Sequence, residues 1–140
     1  MKVFLSYSIK DRFWAEKIAS ALKKDGMSVW DAETELLPGD NFASRISEAL
    51  EDSDAMVVLI SPESMQSPWV RREIEYALGS ESYNRRLIPV LLESEENFPE
   101  GSIPWILNRL NMIRMTKPEQ GDKGILQIAR TLKENSLVFE

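Results

Sequence analysis

The sequence contains no cysteine and no histidine. Without cysteine there is no disulfide, no thiolate nucleophile and no cysteine-bound zinc. Without histidine the Ser-His-Asp type of hydrolase, the histidine-held metal centre and the usual general base are excluded. Chemistry in this chain must run on carboxylates, hydroxyls, lysine, arginine and backbone groups. Glycine-rich phosphate loops are missing too, since neither G-x-G-x-x-G nor G-x-x-x-x-G-K-[ST] occurs. No apolar run approaches membrane-spanning length. Residues 1–6 turn polar too early for a signal peptide. A cytoplasmic location with no membrane partner is the expectation. Positive charge is scarce, with 17 Lys and Arg against 23 Asp and Glu and a net charge of −6. Nucleic acid needs a basic surface, so it is not an expected partner. No metal and no other cofactor is expected.

What is present fits a single domain over residues 1–140, long enough for a core. Hydrophobic content is 43% and charged content 29%, ordinary for a globular protein. Apolar runs at 2–6, 27–31, 55–60 and 87–92 read as strands, with a weaker one at 111–115. Pro89 interrupts the fourth, which predicts a bulge or pairing lost on one side. Helical spacing fills the gaps. The first helix runs to about Lys24 with Trp14, Ala15, Ile18, Ala21 and Leu22 inward, and Ser8 with Asp11 resembles a capping box before it. The second spans about 41–52 with Phe42, Ile46, Ala49 and Leu50 inward. A short helix is expected at 104–109 and a last one at 124–134, with Ile125, Ile128, Ala129 and Leu132 inward. Residues 32–40 form a long loop carrying Leu36, Leu37 and the turn signal Pro38-Gly39.

Strands alternating with helices imply α/β architecture: a flavodoxin-like, three-layer domain whose five-stranded parallel sheet has the order 2-1-3-4-5, with helices on both faces. Such sheets bind ligands where the strand order reverses, here between the first and third strands. The helix after the third strand opens on Ser67-Pro68, a cap and first-turn pair. Gly79-Ser80 ends it. Val70, Ile74, Ala77 and Leu78 form its core stripe, and Trp69 and Glu73 stack on a neighbouring face. A phosphoacceptor receiver shares this architecture. It would need an acidic pair after the first strand and an aspartate ending the third. Ser6-Tyr7 and Ser61-Pro62 stand there instead, and Lys117-Pro118 is a weak echo.

Four segments in order resemble the Toll/interleukin-1 receptor (TIR) family in its bacterial, NAD-cleaving form. They are Val3-Phe4-Leu5-Ser6-Tyr7-Ser8, Leu37-Pro38-Gly39-Asp40-Asn41-Phe42, the W-x-x-x-E run Trp69-Val70-Arg71-Arg72-Glu73, and Ile88-Pro89-Val90. The Phe-Trp box of animal members is absent, with Pro104-Trp105 a loose counterpart. The resemblance implies an NAD+ nucleosidase or cyclase that cuts the nicotinamide–ribose bond. Its products would be nicotinamide with ADP-ribose or a cyclic ADP-ribose isomer. It also implies a place in anti-phage defence signalling and self-association with other TIR domains. A downstream effector or fused domain is a further implied partner, and the chain reads either as a small whole protein or as the start of a larger one. The implied catalytic residue is Glu73, with NAD+ as substrate rather than cofactor. The alternative is a non-enzymatic TIR–TIR adaptor.

Each implied role has a plainer rival. Ser6, Tyr7 and Ser8 are read as lining the substrate pocket or as a strand end and helix cap. Asp31 and Glu33 either touch ribose hydroxyls or are solvated. Trp69 is a wall that stacks on a flat ring, or a packing residue. Leu36 and Gly39 are expected at the substrate, and Leu36, Leu37, Pro38 and Gly39 at an interface with a second copy; core packing is the rival for the leucines. The Arg71-Arg72 and Arg85-Arg86 pairs face a diphosphate, a neighbouring subunit or solvent.

Overall fold

The computed structural model describes residues 1–79 and 86–139, the last five by backbone alone. Ser80 and Arg85 lie outside the described residues. Five strands form one parallel sheet in the order β2-β1-β3-β4-β5. They are β1 (Lys2–Ser6), β2 (Ser28–Trp30), β3 (Ala55–Ile60), β4 (Leu87–Leu91) and β5 (Ile113–Arg114). The helices are α1 (Arg12–Lys24), α2 (Ala32–Glu35), α3 (Phe42–Asp52), α4 (Pro68–Gly79) and α5 (Gly121–Phe139).

The sheet separates two apolar clusters. Alternate side chains of a strand point to opposite faces. Val3 and Leu5 of β1, with Val57 and Leu59 of β3, meet Ile18 and Leu22 of α1 and Ile128 and Leu132 of α5. Phe4, Met56, Val58 and Ile60 turn the other way onto Ile46 and Leu50 of α3 and Val70 and Ile74 of α4. All six residues of β3 are buried, which is why its sequence is an unbroken apolar run. Each such large side chain contributes roughly 1.5–3 kcal/mol on burial.

Pro89 sits in a regular ladder with β3, opposite Val58. Leu92 donates its N–H to Ile60 of β3, while Leu91 accepts from Met115 on the other side. Odd-numbered residues of β4 therefore face β5, and so does the missing donor of Pro89. The β4–β5 ladder begins only at Val90. Pairing is lost on one side and no bulge is needed.

Several expectations are corrected. Strands β2 and β5 are shorter than the apolar runs, and α5 is longer at both ends than 124–134. Only a 3-10 turn, Leu107–Arg109, forms in the 104–109 segment, which holds Pro104. Asp11 does not complete a capping box. Its carboxylate accepts from Ser61 Oγ at 2.5 Å and ties the turn before α1 to the end of β3. Phe42 and Leu78 are exposed rather than inward, and Ala21 and Trp14 are half-buried. Trp14 lies along α5, where a Cβ on Gly121 would stand 2.7 Å from its ring.

Candidate active site

The carboxyl ends of β1 and β3 are the reversal point of the strand order, and a cavity of about 430 Å³ opens beside β1. Ser6, Tyr7 and Ser8 border it from the end of β1. Ala32, Glu33 and Leu36 border it from α2 and its C-cap. Phe42 and Ile46 come from α3, and Trp69, Val70 and Glu73 from α4.

Helix α4 positions the last three. Ser67 caps it, its Oγ accepting the Val70 N–H at 3.3 Å, and Pro68 occupies the first turn. The buried stripe of α4 is Val70, Glu73, Ile74 and Ala77, the i, i+3, i+4, i+7 pattern of a core-facing helix. Glu73 is thus on the core stripe and not on a neighbouring face. It is 5% exposed. Ser6 Oγ, itself buried, donates to Glu73 Oε1 at 2.7 Å. Burial disfavours the charged carboxylate and pushes its pKa up to about 7, with the Ser6 hydrogen bond pulling the other way. Trp69, one turn earlier, is 39% exposed at the cavity wall, with the Arg72 guanidinium 5.4 Å from its ring centroid.

Two residues expected at the substrate are placed elsewhere. Asp31 is buried but does not border the cavity. Its Oδ1 accepts from Tyr7 Oη at 2.9 Å and from the Thr34 N–H at 3.1 Å, and its Oδ2 from Thr34 Oγ1 at 3.0 Å. It is the N-cap of α2, with three hydrogen bonds accepted from the fold, and it borders a separate cavity with Tyr7 and Thr34. Burial, followed by the Asp31 bond, raises the Tyr7 pKa and keeps the phenol a donor. Gly39 has φ +92° in a turn where the Asp40 N–H donates to Leu37 O, with open space where a Cβ would stand. It shapes the loop, away from the cavity. Leu37, Pro38 and Gly39 are exposed, whereas Leu36 is half-buried against the α3–α4 core and faces the cavity.

A family model for the TIR domain matches residues 3–129. The chain belongs to the TIR domain family. Human Toll-like receptor 1 is 32% identical over 114 residues, 79% of this chain and 14% of the receptor. A probable 2′ cyclic ADP-D-ribose synthase, TcpO of Methanobrevibacter olleyae, is 29% identical over 109 residues, 74% of this chain and 32% of the synthase. The chain therefore spans less than a third of the length of either relative. The TIR domain of the Toll-related receptor TRR-2 from Hydra magnipapillata superposes with a TM-score of 0.75 at 21% identity. That match covers 94% of this chain and 97% of the other, and shows the fold.

Sequence reasoning missed Ile9, Phe42, Ile46 and Ser67 at the TIR cavity. None of them carried a signal: Phe42 stands four residues before Ile46, on the stripe read as inward, and helical spacing cannot tell a cavity wall from a core position. Among the described residues no group of carboxylates converges to hold a metal ion. No helix among them is long and apolar enough to cross a membrane.

The Asp31 cap carries its own expected result. Asp31→Ala removes three accepted hydrogen bonds, strands the Tyr7 hydroxyl and uncaps α2. A loss of about 1–2 kcal/mol is expected in urea denaturation. Asp31→Asn, which keeps one acceptor oxygen, is expected to lose less. Equal stability of both variants and wild type would show that the cap does not hold α2.

Proposed function

We propose that this TIR domain cleaves the nicotinamide–ribose bond of NAD+, with Glu73 as the catalytic carboxylate. The observation that carries the reading is a glutamate on the one stripe of α4 that otherwise packs the core. A carboxylate there costs stability, and among the described residues its one hydrogen-bond partner is Ser6. A cleft-bound group with a strongly raised pKa is a functional-site candidate.

The chemistry suits a protein without histidine. Nicotinamide leaves NAD+ as a neutral molecule, because the breaking C1′–N bond returns its electron pair to the pyridinium nitrogen. No general acid is needed. Positive charge grows on the ribose, as in glycoside cleavage. A preorganised carboxylate in a site of low polarity stabilises such charge strongly. Trp69 offers a ring face to the flat base. The nucleophile is water, giving ADP-ribose, or the substrate's own adenine, giving a cyclic isomer. The similarity to a cyclic ADP-ribose synthase favours this class, since that product is NAD+ without its nicotinamide. Self-association through the exposed turn at residues 37–39 would place that turn beside another copy's cavity. Such a reaction supplies a cell with a nucleotide signal or depletes its NAD+, either of which suits defence.

The test is to incubate concentrated protein with NAD+ and follow nicotinamide release and product identity by chromatography. Release by wild type and none by Glu73→Ala is the expected result. Equal release by both would remove Glu73 from the mechanism. A second reading, a TIR–TIR adaptor, draws on the exposed Leu37 and on the similarity to Toll-like receptor 1. No release even from protein tethered into assemblies would favour it.

A further inference from the structure

Four serines are buried among the described residues: Ser6, Ser53, Ser61 and Ser64. Three of them serve the backbone. Ser53 Oγ donates to Ala49 O at 2.7 Å. Ser61 Oγ accepts the Ser64 N–H at 3.1 Å, and Ser64 Oγ accepts the Ser61 N–H at 2.8 Å, which closes the turn after β3. Ser6 makes no such bond, and its hydroxyl goes to Glu73 Oε1 instead. Its place follows from the strand. Alternate residues share a face, so Ser6 stands with Phe4 on the side covered by α3 and α4. There it meets the one carboxylate on the buried stripe of α4. An apolar side chain would serve the fold at this position without burying a hydroxyl.

The bond fixes one carboxylate oxygen and leaves the other. Glu73 Oε2 accepts no bond, and the one buried side-chain polar atom without a partner among the described residues is Ser102 Oγ. Oε2 is therefore open to the cavity that Glu73 borders. A hydroxyl donating at 2.7 Å also favours the charged carboxylate. The other ionisable groups around Glu73 have different places. Glu33 and Tyr7 border the same cavity from α2 and the end of β1, and Asp31 is bonded to Tyr7. Before α1, Lys10 is exposed, Asp11 holds Ser61 and Arg12 pairs with Glu16. On α4, Arg71 donates to Met65 O, Arg72 lies over Trp69 and Glu75 is exposed. Arg45 and Glu48 of α3 border a separate cavity with Lys2, and β3 carries no ionisable side chain. Burial and then the Ser6 bond set the acidity of Glu73, and none of these charges is among the causes.

We propose that Ser6 is the positioning residue of this site: it holds Oε1, leaves Oε2 for the cavity and sets the pH at which Glu73 carries charge. This rests on the NAD+-cleaving reading above and deepens it.

Wild type, Ser6→Ala and Ser6→Thr are compared in two ways. The first is the pH profile of kcat/KM for NAD+. Loss of the hydroxyl is expected to move the half-maximal pH of Ser6→Ala upward by about one unit, and Ser6→Thr, which keeps a hydroxyl, to restore it. A rate loss with an unmoved midpoint overturns the proposal, because a packing defect lowers the whole curve evenly. The second is thermal melting between about pH 4 and about pH 9, which needs no turnover. Folding raises the Glu73 pKa, so stability falls as pH rises through the folded value. In Ser6→Ala that fall should continue about one unit further up. With Glu73→Gln in place, Ser6→Ala should leave the pH dependence unchanged. A fall that ends at the same pH in wild type and Ser6→Ala overturns the proposal whether or not NAD+ is cleaved. An extended fall in a protein that cleaves nothing keeps the coupling of Ser6 to Glu73 and removes the NAD+ reading alone.

Discussion

Glu73→Gln is expected to abolish nicotinamide release and, at pH 8, to make the protein more stable. The activity loss follows from charge. The amide keeps the volume and an acceptor for Ser6 Oγ, but it offers no negative charge to the ribose. Removing one preorganised stabilising group costs about 10²–10³ in rate where measured, and at least that is expected here. The wild-type rate should also rise with pH up to about 7, where Glu73 becomes charged, and level off above.

The stability gain has the same origin. Folding raises the Glu73 pKa from 4.5 to about 7, through burial. Between those values the unfolded chain holds fewer protons than the folded one. Wild-type stability therefore falls as pH rises through that window, and the loss is complete above it. A shift of that size corresponds to roughly 3 kcal/mol. Gln cannot ionise and avoids the loss. Thermal melts at pH 8 should place Glu73→Gln roughly 10 °C above wild type, with the gap closing towards about pH 4, where the wild-type side chain is neutral. Asp11 is also raised by burial, but it is unchanged in both proteins and cancels in the comparison. A variant no more stable at pH 8 would mean that the carboxylate is solvated and its burial carries no cost.

Gly124→Val is expected to destabilise the fold by about 2–3 kcal/mol. Gly124 lies in the first turn of α5, buried against β5 and the residue after it. A Cβ there would overlap Met115 Cγ, stand 2.7 Å from its Sδ and 3.7 Å from Ile113 Cγ2. Met115 is itself buried, so its side chain has little room to swing away. Alanine would gain about 1 kcal/mol of helix propensity. Gly124→Ala is nevertheless expected to melt below wild type, because the overlap begins at Cβ. Lys123→Ala, an exposed neighbour in the same helix, is the control for propensity alone. If Gly124→Ala matched that control or exceeded wild type, Met115 would be free to repack.

These two residues also mark what the sequence could convey. Val70, Ile74 and Ala77 announced a helix with one buried face, and the apolar runs at 2–6 and 55–60 announced the sheet between two helical layers. The strand order followed from parallel connectivity. Glu73 was named through a five-residue pattern, yet its depth was hidden. Periodicity assigns a glutamate outward by default, although i+3 from Val70 is a core position. Gly124 looked like a helix start, because a close approach to Met115 leaves no trace in local pattern. Asp31 differs in the opposite sense. An acidic residue near a ligand site reads as a ligand contact, and only coordinates show its oxygens accepting from Tyr7 and Thr34. The one-turn α2 was illegible for a related reason: four residues are too few to display a helical period.

The lost pairing at Pro89 has a consequence for how the molecule opens. On its β5 side, the β4 backbone is held by a two-residue ladder and by the Met115 N–H to Leu91 O bond. On its β3 side, the ladder runs through all five residues. Solvent deuterium should therefore enter the sheet from the β5 edge. The amides of β1 and β3, beside Glu73, should exchange only when the whole domain comes apart. The proton on Glu73 would then be lost and regained many times within a backbone that has not yet exchanged once.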